Sequence, residues 1–236
     1  MARQYSCDEI ISEGLLLAGD TSLTTRAVVW LNQWLRSQYR AWPWPFLQTR
    51  ASGLTLSASS GSMTVGSGIG GVTPDIQRVI DPVYLYTTAK TIRGTLRIQQ
   101  LNSGPIEADI DARLSTRTGT PTSLKLRPSN SVYGRWLFIF DPIPDQAYLF
   151  SFDYLQQPDD EATAAASGGT AIPLYPNDRT MVQAVMVHAL KYMADERLLP
   201  EQELLRVMCL DDRVKYGQSP GVNELWGMDP STFKGA

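Results

Sequence analysis

An α+β fold is predicted by three features of the chain. Apolar residues recur at three- and four-residue steps near both ends, which is the period of a helix. The middle alternates with a period of two instead. Gly, Pro, Asn and Asp residues cut that stretch into short segments with no helical run between them. The expected architecture is a discontinuous helical hairpin or bundle domain, with two N-terminal and two C-terminal helices. An antiparallel β-sandwich or barrel domain is inserted into it, and an extended C-terminal tail follows. The boundaries fall at 1–50 and 175–217 for the two helical parts, 51–157 for the β domain, 158–174 for a linker and 218–236 for the tail.

Ser6 and Glu9 have capping-box spacing, so a first helix starts there and runs to about Ala18. It buries Ile10, Ile11, Leu15 and Leu17, and Gly19 suits a left-handed terminator. A polar connection over 20–25 leads to a second helix. In it Ala27, Leu31, Trp34, Leu35, Tyr39 and Trp42 share one face, opposite Arg26, Gln33, Arg36 and Arg40. Pro43 stops this helix, because proline has no amide donor and forces its predecessor out of the helical region. The alternating run Trp42-Pro43-Trp44-Pro45-Phe46 then leaves as a stiff extended segment. Trp34, Trp42, Trp44 and Phe46 are the candidate anchor of the domain junction, with Trp34 and Trp42 expected inside the helical core.

Strands are expected at 54–56, 63–65, 78–86, 95–98, 122–126, 136–140 and 147–154, the first two flanking a turn at 59–61. The glycine loop over 66–71 lacks a following helix and a Lys-Ser/Thr pair, which excludes a phosphate cradle. Asp159, Asp160 and Glu161 belong to the charged linker. Asn177 caps a third helix with the stripe Met181, Val182, Val185, Met186, Ala189 and Met193. Pro200 opens a fourth, which buries Leu204, Leu205, Met208 and either Leu210 or Val214 before Gly217 ends it. Neither helical pair has apolar face enough to stand alone, so the two pairs are expected to pack together. The tail carries Leu225, Trp226, Met228 and Phe233 without a regular period, a pattern suited to docking on a partner.

Composition narrows the function. The net charge of −3 lacks the basic footprint of a nucleic-acid binder. Cys7 and Cys209 have no metal or redox spacing, and together with the absence of a leader-like N-terminus they point to a cytoplasmic origin. No apolar run is long enough to span a membrane. One histidine, His188, sits mid-helix with no ligand at metal spacing and reads as a packed residue. Glu107, Asp109 and Asp111 alternate along one face and read as a solvated edge before they read as a divalent-ion site. No residues compose a catalytic centre, and no cofactor or metal is expected.

Several stretches together resemble the head-to-tail adaptor (neck or connector) proteins of bacteriophages. They are the helix containing Trp30-Leu31-Asn32-Gln33-Trp34-Leu35 with its close on 42–47, and the block Gly119-Thr120-Pro121. The strand 137–140 running into Asp141-Pro142-Ile143-Pro144-Asp145, then Tyr148, Tyr154 and Pro158, also fit. The resemblance implies a structural virion protein, not an enzyme, made in the host cytoplasm and placed in the neck. Copies would form a ring, usually twelvefold, between the portal and a tail or nozzle protein, with an axial channel through which DNA passes without sequence-specific binding. Leu225, Trp226, Met228 and Phe233 become candidate contacts to the portal or a neighbouring subunit. The alternatives are a tail-completion or tail-tube terminator ring and, from another class, a carbohydrate-binding or adhesion β module. An enzyme would have to use acidic residues such as Asp109 or Asp111.

Overall fold

The computed structural model describes residues 4–66, 75–89, 92–100, 117–128, 135–163 and 169–217. It is α+β, with four α-helices and a large, nearly closed β-sheet among the described residues. The chain divides into two compact units, Met1–Leu47 with Pro158–Ala236, and Gln48–Gln157.

The helices of the first unit are α1 (Cys7–Ala18), α2 (Thr24–Ala41), α3 (Asp178–Met193) and α4 (Leu198–Tyr216). The capping box forms as expected: the Ser6 amide donates to the Glu9 carboxylate at 2.9 Å, and the Glu9 amide returns to the Ser6 hydroxyl. Gly19 ends α1 with φ of 92°, the left-handed region that glycine enters without a steric cost. Arg197 adds a second stop, its Nη2 donating to the Ala18 carbonyl at 2.9 Å, so a cation meets the negative end of α1. Leu17 is half exposed instead of buried, since Ile10, Ile11, Gly14, Leu15 and Ala18 already define the inward stripe.

Helix α3 is the centre of this unit. Every residue from Thr180 to Val187 is buried, and a helix enclosed on nearly all sides must be covered by several neighbours. It packs against α1, α2 and α4. The tightest approach is at Gly14, where a Cβ would lie 2.8 Å from the Val185 Cβ and 2.9 Å from the Val182 carbonyl oxygen. Gly14→Ala is therefore expected to push α1 off α3 and cost about 1–3 kcal/mol, read by urea denaturation.

Helix α4 departs from the expected orientation. Its buried residues are Cys209 and Asp212, while Leu204, Leu210 and Val214 are exposed. Polar anchors, not the apolar stripe, set its rotation. The buried Asp212 carboxylate accepts from the Tyr175 hydroxyl at 2.9 Å and from Asn177 Nδ2 at 2.6 Å. Gln183 Nε2 donates to Glu201 Oε2 at 2.8 Å. Asn177 is thus spent on α4, and its side chain makes no capping bond to α3. Pro200 sits in the first turn of α4, where a missing donor removes no helical bond.

The second unit contains β1 (Gln48–Leu56), β2 (Ser62–Val65), β3 (Asp75–Thr87), β4 (Ile92–Gln100), β5 (Thr118–Gly119), β6 (Ser123–Pro128), β7 (Trp136–Asp141), β8 (Ile143–Pro144) and β9 (Tyr148–Gln157). Seven strands form one sheet in the order β1-β9-β3-β4-β6-β7-β2, and β5 pairs with β8 in a small second sheet. Strands β1 and β2 do not form a hairpin about 59–61. They pair with β9 and β7, at opposite ends of the sheet order. The sheet is also not wholly antiparallel, because β4–β6 and β5–β8 run parallel. Side-chain periodicity reveals which face a residue occupies and is blind to strand direction. Phe138, Phe140, Phe150 and Phe152 fill the interior, with neighbouring ring centroids 4.9–6.1 Å apart. The Tyr148 hydroxyl donates to Asp145 at 2.7 Å and ties the turn over 142–145 to the start of β9.

Candidate interaction surfaces

The aromatic run after α2 makes a compact cluster. Helix α2 ends at Ala41 and Trp42 is extended, as a following proline requires. The chain does not stay extended: Pro45–Leu47 is a turn of 3₁₀ helix, closed by the Leu47 amide on the Trp44 carbonyl at 3.0 Å. That turn swings Trp44 back under α2, where its Nε1 donates to the Gln38 carbonyl at 2.9 Å and satisfies an orphan acceptor of the helix end. Trp44 is fully buried between Phe46 and Tyr175, each with a ring centroid 5.5 Å away. Trp34 meets Tyr175 edge-on at 5.0 Å. The expected order is therefore changed. Trp34 and Trp44 are core, Phe46 packs beside them, and Trp42 is only half-buried, its Nε1 lacking a partner among the described residues.

Glu161 is not a solvated linker residue. Its carboxylate accepts from the Tyr39 hydroxyl at 3.0 and 3.1 Å and from the Leu174 amide at 3.1 Å. Next to it Asn32 makes a reciprocal pair with the Ala162 backbone, at 2.7 and 3.0 Å. Burial pushes the Glu161 carboxyl up to about 7, against the pull of the Leu174 and Tyr39 donors. Burial and the Glu161 charge raise the Tyr39 hydroxyl. Burial, then the Glu161 and Asp8 charges, lift Cys7 to about 12, so this thiol stays protonated at neutral pH. Arg36 and Asp160 form an ion pair outside this cluster.

Among the described residues, two apolar surfaces remain uncovered on the helical unit. On α2 and α3, Arg26 lies 4.4 Å above the Tyr192 ring, and Trp30 contacts both Tyr192 and His188. Val29 is exposed beside them in sequence. Burial, then Lys191, depress His188, which holds it neutral in the stack. Trp, Tyr and Arg are the residue types that concentrate binding energy when a partner excludes water. On α4, Leu199 is 77% and Val214 63% exposed, with Val207 between them in sequence. A groove of about 520 Å³ separates α2 from α4, with Trp34 and Gln38 on one side and Leu199, Cys209, Leu210 and Arg213 on the other.

Of the sequence-predicted sites, Leu225, Trp226, Met228 and Phe233 lie outside the described residues, as do Glu107, Asp109, Asp111 and most of the glycine loop. Among the described residues no group of three or more His, Cys, Asp or Glu could hold a metal ion, and no helix is long and apolar enough to cross a membrane. The Trp30–His188–Tyr192 stack escaped sequence reasoning because its halves lie far apart in the chain. No protein family matches the chain, and no curated protein matches it either.

Proposed function

We propose that the chain is a phage head-to-tail adaptor: a structural virion protein of the neck whose copies form a ring beneath the portal. In this reading the two helical parts act as one discontinuous domain, the ring-forming element, interrupted by the β domain. Twelve copies would leave a central channel for the genome, with the portal on one side and a tail or nozzle protein on the other.

The observation that carries the reading is the pair of unlike apolar surfaces on the helical unit, Arg26–Trp30–Tyr192 and Val207–Val214. A subunit with two different uncovered patches suits heterologous contacts, in which one patch meets the other on the next copy and the chain of contacts closes. The net charge of −3 supports a wall past which DNA slides without releasing counterions. Residues 225–233 would then engage the portal or the next subunit.

Electron microscopy of the purified protein mixed with a portal complex tests this. Rings on portals are the expected result, and deleting residues 221–236 should abolish stable attachment while leaving the helical circular dichroism unchanged. Rings that bind tail tubes and ignore portals would favour a tail terminator, and persistent monomers would end both ideas.

A further inference from the structure

We propose that the segment joining β9 to α3 is a strap that Glu161 latches onto α1 and α2 while it is protonated, and that ionisation of Glu161 releases the strap and bares the Cys7 thiol. The described parts of this segment, residues 158–163 and 169–175, are fastened separately. In the first part three successive residues grip α2. Asp160 pairs with Arg36, Glu161 accepts from the Tyr39 hydroxyl, and the Ala162 backbone exchanges hydrogen bonds with Asn32. Asn32, Arg36 and Tyr39 are four and three residues apart, so they form one stripe of the helix. In the second part the Ala171 and Gly169 carbonyls accept from the Cys7 and Asp8 amides at 2.8 and 3.1 Å. These are amides of the first turn of α1, which find no acceptor inside their own helix. The two parts also meet, since a Cβ on Gly169 would lie 2.5 Å from the Thr163 hydroxyl oxygen. Glu161 bonds to both α2 and the second part of the strap, through the Leu174 amide at 3.1 Å.

The surroundings of Glu161 make this fastening sensitive to its charge. Among the described residues no cation pairs with the carboxylate; its partners are a phenol and a backbone amide. The titratable groups facing it are Tyr39 on α2 and Cys7 on α1, both kept neutral by burial. Asp8 follows Cys7, and its charge, like that of Glu161, only raises the thiol further. On the strap itself Asp160 takes up Arg36. An anion sheltered from water without a counter-ion gains by reaching water, and here it does so by lifting the strap. Burial pushes the carboxyl from 4.5 up to about 7, so the closed strap is favoured fully below pH 4.5 and loses that advantage as the pH rises through about 7. The other fastenings resist weakly. The Arg36–Asp160 pair is half exposed, and water can replace the backbone bonds to Asn32 and α1. Helix α1 keeps its own capping box when the strap leaves, because Ser6 and Glu9 both lie outside it. Cys7 is what opening uncovers: it is fully buried, its amide bonds to Ala171, and its thiol senses the Glu161 charge. The latch belongs to the helical unit and does not depend on the adaptor reading.

The test is alkylation of the full-length protein with iodoacetamide, read at Cys7 by peptide mass spectrometry and compared with Glu161→Gln, which keeps an acceptor and never ionises. Labelling takes place from the open state, where the thiol is the same in both proteins, so the ratio of the two rates reports opening alone. The ratio of wild type to variant is expected to rise by about tenfold or more from pH 5.5 to 8.5, and to level off above about 7. At pH 8 the wild-type rate should be the same in water and in about 1 M urea, because lifting a strap exposes little surface and unfolding the whole chain exposes much. A ratio that does not change with pH overturns the latch. A ratio that rises while urea accelerates labelling would mean that the whole fold opens, and overturns it equally.

Discussion

Glu161→Gln should stabilise the protein at about pH 8 by about 3 kcal/mol and leave it nearly unchanged at pH 4.5. The carboxyl has an ordinary value of 4.5 and is pushed up to about 7 in the fold, first by burial. The fold therefore prefers the neutral acid. Its contribution is fully present below pH 4.5 and is lost as the pH rises through about 7. Glutamine keeps an oxygen for the Tyr39 hydroxyl and the Leu174 amide and never ionises, so the loss disappears. His188 works in the opposite sense. Its value is depressed, so its contribution to stability is lost as the pH falls below its ordinary 6.5. The two windows overlap, and the wild-type curve alone would blur them. The difference between wild type and Glu161→Gln, from urea melts across pH 4–8, isolates the carboxyl. A difference that stays flat over this range would mean that Glu161 is hydrated in solution.

Local signals in the sequence translated directly into structure, and long-range ones did not. Ser6 and Glu9 are three residues apart, so their capping box is visible without knowing the fold. The same holds for Gly19, and for the α2 stripe that buries Ala27, Leu31, Trp34, Leu35 and Tyr39. Alternation in the middle of the chain located the strands, because period two follows from the pleat alone. What failed depends on partners far away in the chain. Leu204, Leu210 and Val214 looked like core because apolar residues usually are. Asp212, held by Tyr175 and Asn177, turns them outward. Glu161 read as solvent-facing because two aspartates precede it, yet Tyr39, 122 positions earlier, brings it inside. The candidate docking residues 225–233 rest on composition and on the family resemblance. The groove between α2 and α4 came only from the placement of those two helices.

Trp44→Ala should cost about 3–5 kcal/mol, and Trp42→Ala no more than about 1–2. Size does not separate them, since both are tryptophans flanked by proline. Trp44 is fully buried, ringed by Phe46 and Tyr175, and donates to the Gln38 carbonyl at 2.9 Å. Its removal opens a cavity beside Tyr175 and Phe46 and leaves a part-buried helix-end acceptor unpaired, so transfer, cavity and hydrogen-bond losses add. Trp42 is half-buried, and its indole N–H has no partner among the described residues. Trp44→Phe separates the contributions: the ring contacts largely survive and the hydrogen bond does not, so about 1–2 kcal/mol is expected. Denaturant melts of the three variants at one pH decide the matter. Equal losses for Trp42→Ala and Trp44→Ala would show that the 3₁₀ turn over Pro45–Leu47 does not carry Trp44 inward as described. The chain would then continue extended past Pro43, with Trp42 as the core residue of the pair.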